Sequence, residues 1–246
     1  MWVAATAMAL VACIYTSTAG GAEAGASTSV AFHASFLPDR LGANAALTLA
    51  LRFAGSPGET PTPLHSIVLH LPAGLGIEIG RSSSCAPTRL RRQGPAGCPR
   101  SSLIGRGHAQ LEVHAGSQTI PEQAALWVFR GPSRSRTPTL MILGVGSTPL
   151  HERTIDTAVL RGDNAPYGTR LAISIPAIPT LVYEPDASFD SLTLTLGGLS
   201  DDPRAHAAAA SIRVPRRCRA GGFPFAADIT FTDRSTAHAT AVVPCP

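Results

Sequence analysis

The amino-acid sequence predicts an all-β fold: an antiparallel β-sandwich, immunoglobulin-like or jelly-roll-like, with short helical turns. Three observations carry this. Large apolar residues recur at every second position in many short segments, the period of a strand with one buried face. Glycine and proline, 23 and 21 residues, break the chain at the spacing of turns. No long stretch shows the 3.6-residue period of an amphipathic helix.

The elements follow in order along the chain. A first strand is expected over 30–36. Leu47, Leu49, Leu51 and Phe53 alternate with Thr48, Ala50 and Arg52, giving a second. Ile67, Leu69 and Leu71 give a third that stops at Pro72. Residues 86–92 form a short helical turn. Strands follow at 107–113, 124–129, 139–143 and 154–160. Leu171, Ile173 and Ile175 stop at Pro176, and Leu192, Leu194 and Leu196 stop at Gly197. A further helical turn is expected near 205–210 and a strand over 208–214. A closing hairpin over 225–231 and 236–243 turns at Thr232-Asp233-Arg234-Ser235, an ordinary hairpin length. No low-complexity linker interrupts 25–246, so one sandwich domain is expected there. Two β domains splitting near 185 are the alternative.

The chain opens with an uncharged apolar run, Met1 to Tyr15, then small residues and Ala22-Glu23-Ala24. That order fits a signal peptide over 1–24 with a small-x-small cleavage site. Leu10-Val11-Ala12-Cys13 also fits a lipobox, which would make Cys13 a lipid anchor. The expected location is therefore outside the cytoplasm, secreted or in the cell envelope. Four cysteines remain beyond Ala24: Cys85, Cys98, Cys218 and Cys245. In an exported chain an even count reads as two disulfides with three possible pairings. The local pairing, Cys85–Cys98 and Cys218–Cys245, is favoured, each loop contributing ~3 kcal/mol in the chain-entropy model. No Cys-x-x-Cys pair supports a structural zinc site.

Leu71-Pro72-Ala73-Gly74-Leu75 precedes Cys85, and Gly97-Cys98-Pro99 leads to Ile104-Gly105. Tyr167-Gly168 and Gly221-Gly222-Phe223-Pro224-Phe225 follow. Together these resemble a group of uncharacterised exported β-sandwich proteins of actinobacteria. The resemblance implies an extracellular or envelope sandwich. It carries over no catalytic residue.

All 20 basic residues are arginine and the net charge is +4. The dense basic face with interleaved aromatics of a nucleic-acid binder is absent, so no nucleic acid is expected. Two clusters stand beside cysteines: Arg89, Arg91 and Arg92, then Arg213, Arg216, Arg217 and Arg219. Either is solvated loop charge or a contact for an anionic polymer. Gly144-Val145-Gly146-Ser147 lacks the last glycine of a nucleophile elbow. His151-Glu152 lacks the second histidine of a zincin. His70 and His114 fall in the polar phase of their strands, so they are expected to face solvent. No catalytic, cofactor or metal residue is assigned. The expected role is non-catalytic, binding or structural, with an envelope glycan or a protein as partner. Membrane contact would come only through Cys13. The competing reading is a secreted hydrolase with a site assembled from loops, its candidates Asp163, Asp186, Asp201, Asp202, His151 and His206.

Overall fold

The computed structural model describes residues 28–79, 83–133, 135, 137–147, 149–180, 183–198 and 211–246. The expected export segment with Cys13, the helical turn near 205–210, and Asp201, Asp202 and His206 lie outside the described residues. The strands are β1 (Ser29–Leu37), β2 (Asn44–Ala54), β3 (Leu64–Pro72), β4 (Gly76–Glu78), β5 (Leu103–Ala115), β6 (Gln118–Arg130) and β7 (Thr139–Gly146). There follow β8 (Arg153–Gly162), β9 (Tyr167–Ser174), β10 (Ser188–Leu196), β11 (Ser211–Arg213), β12 (Phe223–Phe231) and β13 (Thr236–Val243). One short helix, α1 (Pro87–Gln93), stands between β4 and β5.

The all-β, antiparallel expectation holds. The main wall runs β13-β12-β3-β9-β8-β7-β6-β5-β10-β2-β1, antiparallel at every ladder. β11 continues the edge of β2 and carries β4. The strands after residue 185 are interleaved with earlier ones: β10 lies between β2 and β5, and β12 between β13 and β3. β1 also lies beside β13, with Cα atoms within 8 Å. That is closer than the ~10 Å between stacked sheets, so the two edges of the wall meet and the sheet is rolled round one interior. Ten antiparallel steps separate β13 from β1, so these two strands run in the same direction.

The interior follows from strand periodicity. Alternate residues of every wall strand point inward into one apolar core, among them Phe36, Leu49, Leu69, Leu111, Leu126, Ile142, Ala158, Ile173, Leu194, Phe225 and Val243. Each large buried side chain contributes roughly 1.5–3 kcal/mol. Phe36 closes the seam from inside, its ring 5.9 Å from both Phe223 and Phe225. β7 is buried on both faces, as its unbroken Leu140-Met141-Ile142-Leu143 run requires. Met141 and Leu143 face outward under α1, packing with Leu90, Phe129 and the Cys85–Cys98 pair. Pro87 sits in the first turn of α1, where no amide hydrogen is needed.

Cys85 is bonded to Cys98 and Cys218 to Cys245, with Cα separations of 5.2 and 5.8 Å. Both bridges lie at the same end of the wall, where β6, β9 and β12 respectively end, begin and begin. We call this the stapled end. The opposite end carries the β5–β6 and β12–β13 turns, the β7–β8 connection and the segment after β9.

Candidate functional site

Two concave regions stand out, one at each end. The first is a cavity of about 50 Å³ inside the wall, away from the staples. Its lining is apolar, with Ile67, Leu111, Leu126, Ile142, Ile173 and Leu194 on facing strands. Its mouth lies by Leu150, Glu152, Ile175 and Ile178. On the cavity side β7 carries glycine at two successive positions, Gly144 and Gly146, in phase with Ile142. A Cβ on Gly144 would come 2.8 Å from the Thr154 hydroxyl, and one on Gly146 would collide with Oε1 of Glu122.

Glu122, Glu152 and Asp156 line this cavity, and no basic side chain does. Glu122 is 3% exposed and its Oε2 accepts the Leu150 amide at 3.2 Å. Burial raises its pKa. The Leu150 hydrogen bond and His151 offset part of this, and Glu152 adds to it. Asp156 is more isolated. Its Oδ1 is buried with no hydrogen-bond partner, and burial pushes the carboxyl up to about 7. Burial of a carboxylate without hydrogen-bond partners disfavours its charged form. Asp190, at the bulge of β10, is pushed up to about 6, first by burial and then by Glu112.

The second region is a cleft of about 710 Å³ at the stapled end. Arg213, Arg216, Arg217 and Arg219 line it, facing Ala73, Gly74 and Pro166 across the gap. The arginine loop is fixed along its length. Val214 donates to the Ala43 carbonyl at 2.9 Å, Pro215 accepts from Gly42 at 3.3 Å, and Cys218 is tied to Cys245. Arg213 pairs with Glu78 at 2.6 Å. Among the described residues, no carboxylate pairs with Arg216, Arg217 or Arg219.

Near the rim of that cleft an outward-facing network crosses three strands. His70 on β3 donates from Nδ1 to Asp163 at 2.6 Å and from Nε2 to Asp228 at 2.9 Å. His238 donates to the other oxygen of Asp228 at 2.6 Å. The Tyr167 ring lies 5.2 Å from that of His70. A carboxylate on each ring nitrogen favours the imidazolium form of His70. Burial opposes its charge, yet Asp163 and Asp228 outweigh that and raise its pKa. Burial likewise opposes both carboxylates, and their histidine partners hold them below the usual range. His70 therefore occupies the polar face as expected, but its side chain is only 16% exposed and fully engaged. His114 also has a partner, the Thr60 hydroxyl at 3.1 Å.

Among the described residues, no hydrogen bond or ion pair joins the hydrolase candidates Asp163, Asp186 and His151 to one another. Asp163 belongs to the His70 network. His151 is an exposed residue at the other end of β8, a strand whose 10 residues span roughly 30 Å. Asp186 precedes β10 at the His151 end. Among the described residues, no group of His, Cys, Asp or Glu is arranged to hold a metal ion, and no helix is long and apolar enough to cross a membrane.

The fold and these sites define a disulfide-stapled, rolled antiparallel sheet with an acidic interior cavity and a basic cleft. No family model, curated protein or solved structure matches the chain.

Proposed function

We propose that this is an exported β protein with a non-catalytic binding role in the cell envelope or outside the cell, and that its binding surface is the arginine cleft. The cleft carries the reading. Three arginines without carboxylate partners line one concavity whose backbone is held by a disulfide and by ladder-like amide bonds. A planar guanidinium matches carboxylate and phosphate oxygens bidentately, and a fixed loop spends little ordering entropy on binding. The partner is an acidic envelope glycan, the anionic form of the glycan partner that the sequence suggests. Export is supported by the disulfides, which persist in oxidising compartments, and by the apolar N-terminal run.

Titration calorimetry with polygalacturonate, and with dextran as the neutral control, tests the cleft. Binding to the acidic polymer alone is expected, weakening steeply with salt. The triple variant Arg216→Ala, Arg217→Ala, Arg219→Ala should lose at least tenfold in affinity. Equal binding by that variant, or equal binding of dextran, would refute the assignment. Fractionating cells that express the full chain, with and without Cys13→Ala, tests export and separates release from lipid anchoring.

A further inference from the structure

The cavity away from the staples has a chemistry that the arginine cleft does not use. We propose that it is a binding site for the head of a small alkylammonium ligand, with the Asp156 carboxylate as counter-ion. Oδ1 of Asp156 is buried and has no partner, and Asp156 is one of the residues that line this enclosure. A buried acceptor left unpaired is costly, and a ligand that brings N–H donors removes that cost.

The lining then selects among donors. Its ionisable side chains are Glu122, Glu152 and Asp156, all acidic. The elements facing Asp156 from β3, β5, β9 and β10 present only apolar groups. Of the polar side chains there, Thr154 is the uncharged one. Such a pocket repels anions and gives a cation an apolar wall for its methylenes. The volume sets the size. About 50 Å³ is a third of the ~150 Å³ that holds a benzene ring, so an ammonium group and one or two methylenes fit, with a longer tail leaving by Leu150 and Ile178.

Binding must also compete with a proton. Asp156 retains a proton up to a pH of about 7, while a primary amine stays protonated to pH ~10. The ammonium therefore binds the ionised site and displaces the proton. Occupancy of that ionised form rises as pH climbs from 6 to 8, so affinity should tighten roughly tenfold across that range.

The experiment is an NMR titration of the intact disulfide-bonded protein with n-butylammonium, n-butanol, butyrate and potassium chloride. We expect saturable shifts at Gly144, Gly146 and Asp156 with butylammonium, at least tenfold weaker binding of butanol, and none with butyrate or potassium. Asp156→Asn should reduce amine affinity at least tenfold. The proposal fails if butanol matches the amine, if potassium reproduces the shifts, if no saturation occurs, or if a folded Asp156→Asn binds the amine as well as the parent. If that variant does not fold, the amine-to-butanol ratio and the pH profile of the parent decide alone. A flat profile between pH 6 and 8 overturns the assignment.

Discussion

The two ends of the wall are built on opposite logic. At the stapled end, arginines stand in a wide cleft open to water, and two disulfides hold the loops around it. At the other end, carboxyls are drawn inside the wall, into a narrow apolar space with no covalent brace. Exposure keeps the arginine charges cheap and available. Enclosure makes the Asp156 charge expensive, so it becomes conditional on pH. The same fold thus carries a permanent cationic site and a titratable anionic one. The difference lies in solvation rather than in residue type.

The largest effect that could break this comparison comes from the staples. Replacing Cys218 and Cys245 with serine should cost about 3–4 kcal/mol, the loop-closure term for their separation. Urea unfolding would measure it. The loss should fall on the cleft: amide exchange should quicken across 214–222 while Gly144 and Gly146 stay protected. Faster exchange at the cavity as well would mean that the two ends are not independent.

Asp156→Leu comes next and has the opposite sign. The folded pKa of Asp156, about 7, lies above the ordinary 3.8. The folded protein therefore keeps a proton that the unfolded chain releases between those values, and stability falls as pH rises from 4 to 7. Removing the carboxyl should flatten that slope and stabilise the protein by roughly 2–4 kcal/mol at pH 8. Thermal denaturation at pH 5 and pH 8 would show it. A variant less stable than the parent at pH 8 would contradict the isolation of this group.

His70→Gln should cost ~1–2 kcal/mol at pH 5, the worth of charge-assisted hydrogen bonds that are partly exposed. Its pKa is raised, so its contribution is complete below 6.5 and is lost as pH rises through the raised value. The carboxylates of Asp163 and Asp228 are lowered, so theirs is present above 3.8 and lost as pH falls through the lowered values. Chemical denaturation across pH should therefore show the largest cost between about 4 and 6.5. The smallest effect belongs to Arg217→Ala, within about 0.5 kcal/mol of the parent by the same measurement. A larger loss would make the arginine loop part of the scaffold.

Much of the wall was legible because alternation is a local signal. Leu47 to Phe53 and Leu192 to Leu196 place their strands within a few residues. β4, three residues long, was too short to show a period. The cavity leaves a trace in the sequence: Asp156 shares the phase of Ala158 and Leu160, and Glu122 that of Ala124, Leu126 and Val128. A carboxyl in the apolar phase of a strand is a signal of a buried acid. Likewise Gly144 and Gly146 continue the phase of Leu140 and Ile142. The His70 network left none, since its partners stand 93 and 158 residues away and meet only once β12 lies beside β3. The arginine run was visible, but its concavity depends on β11 reaching the edge of β2.

The seam between β1 and β13 has a consequence for assembly. The earliest and latest described strands are the ones that complete the wall. Until β13 is in place, β1 and β12 both present open edges, the feature most prone to pairing with another chain. Closure of this kind relies on contacts between distant parts of the chain, which slows folding.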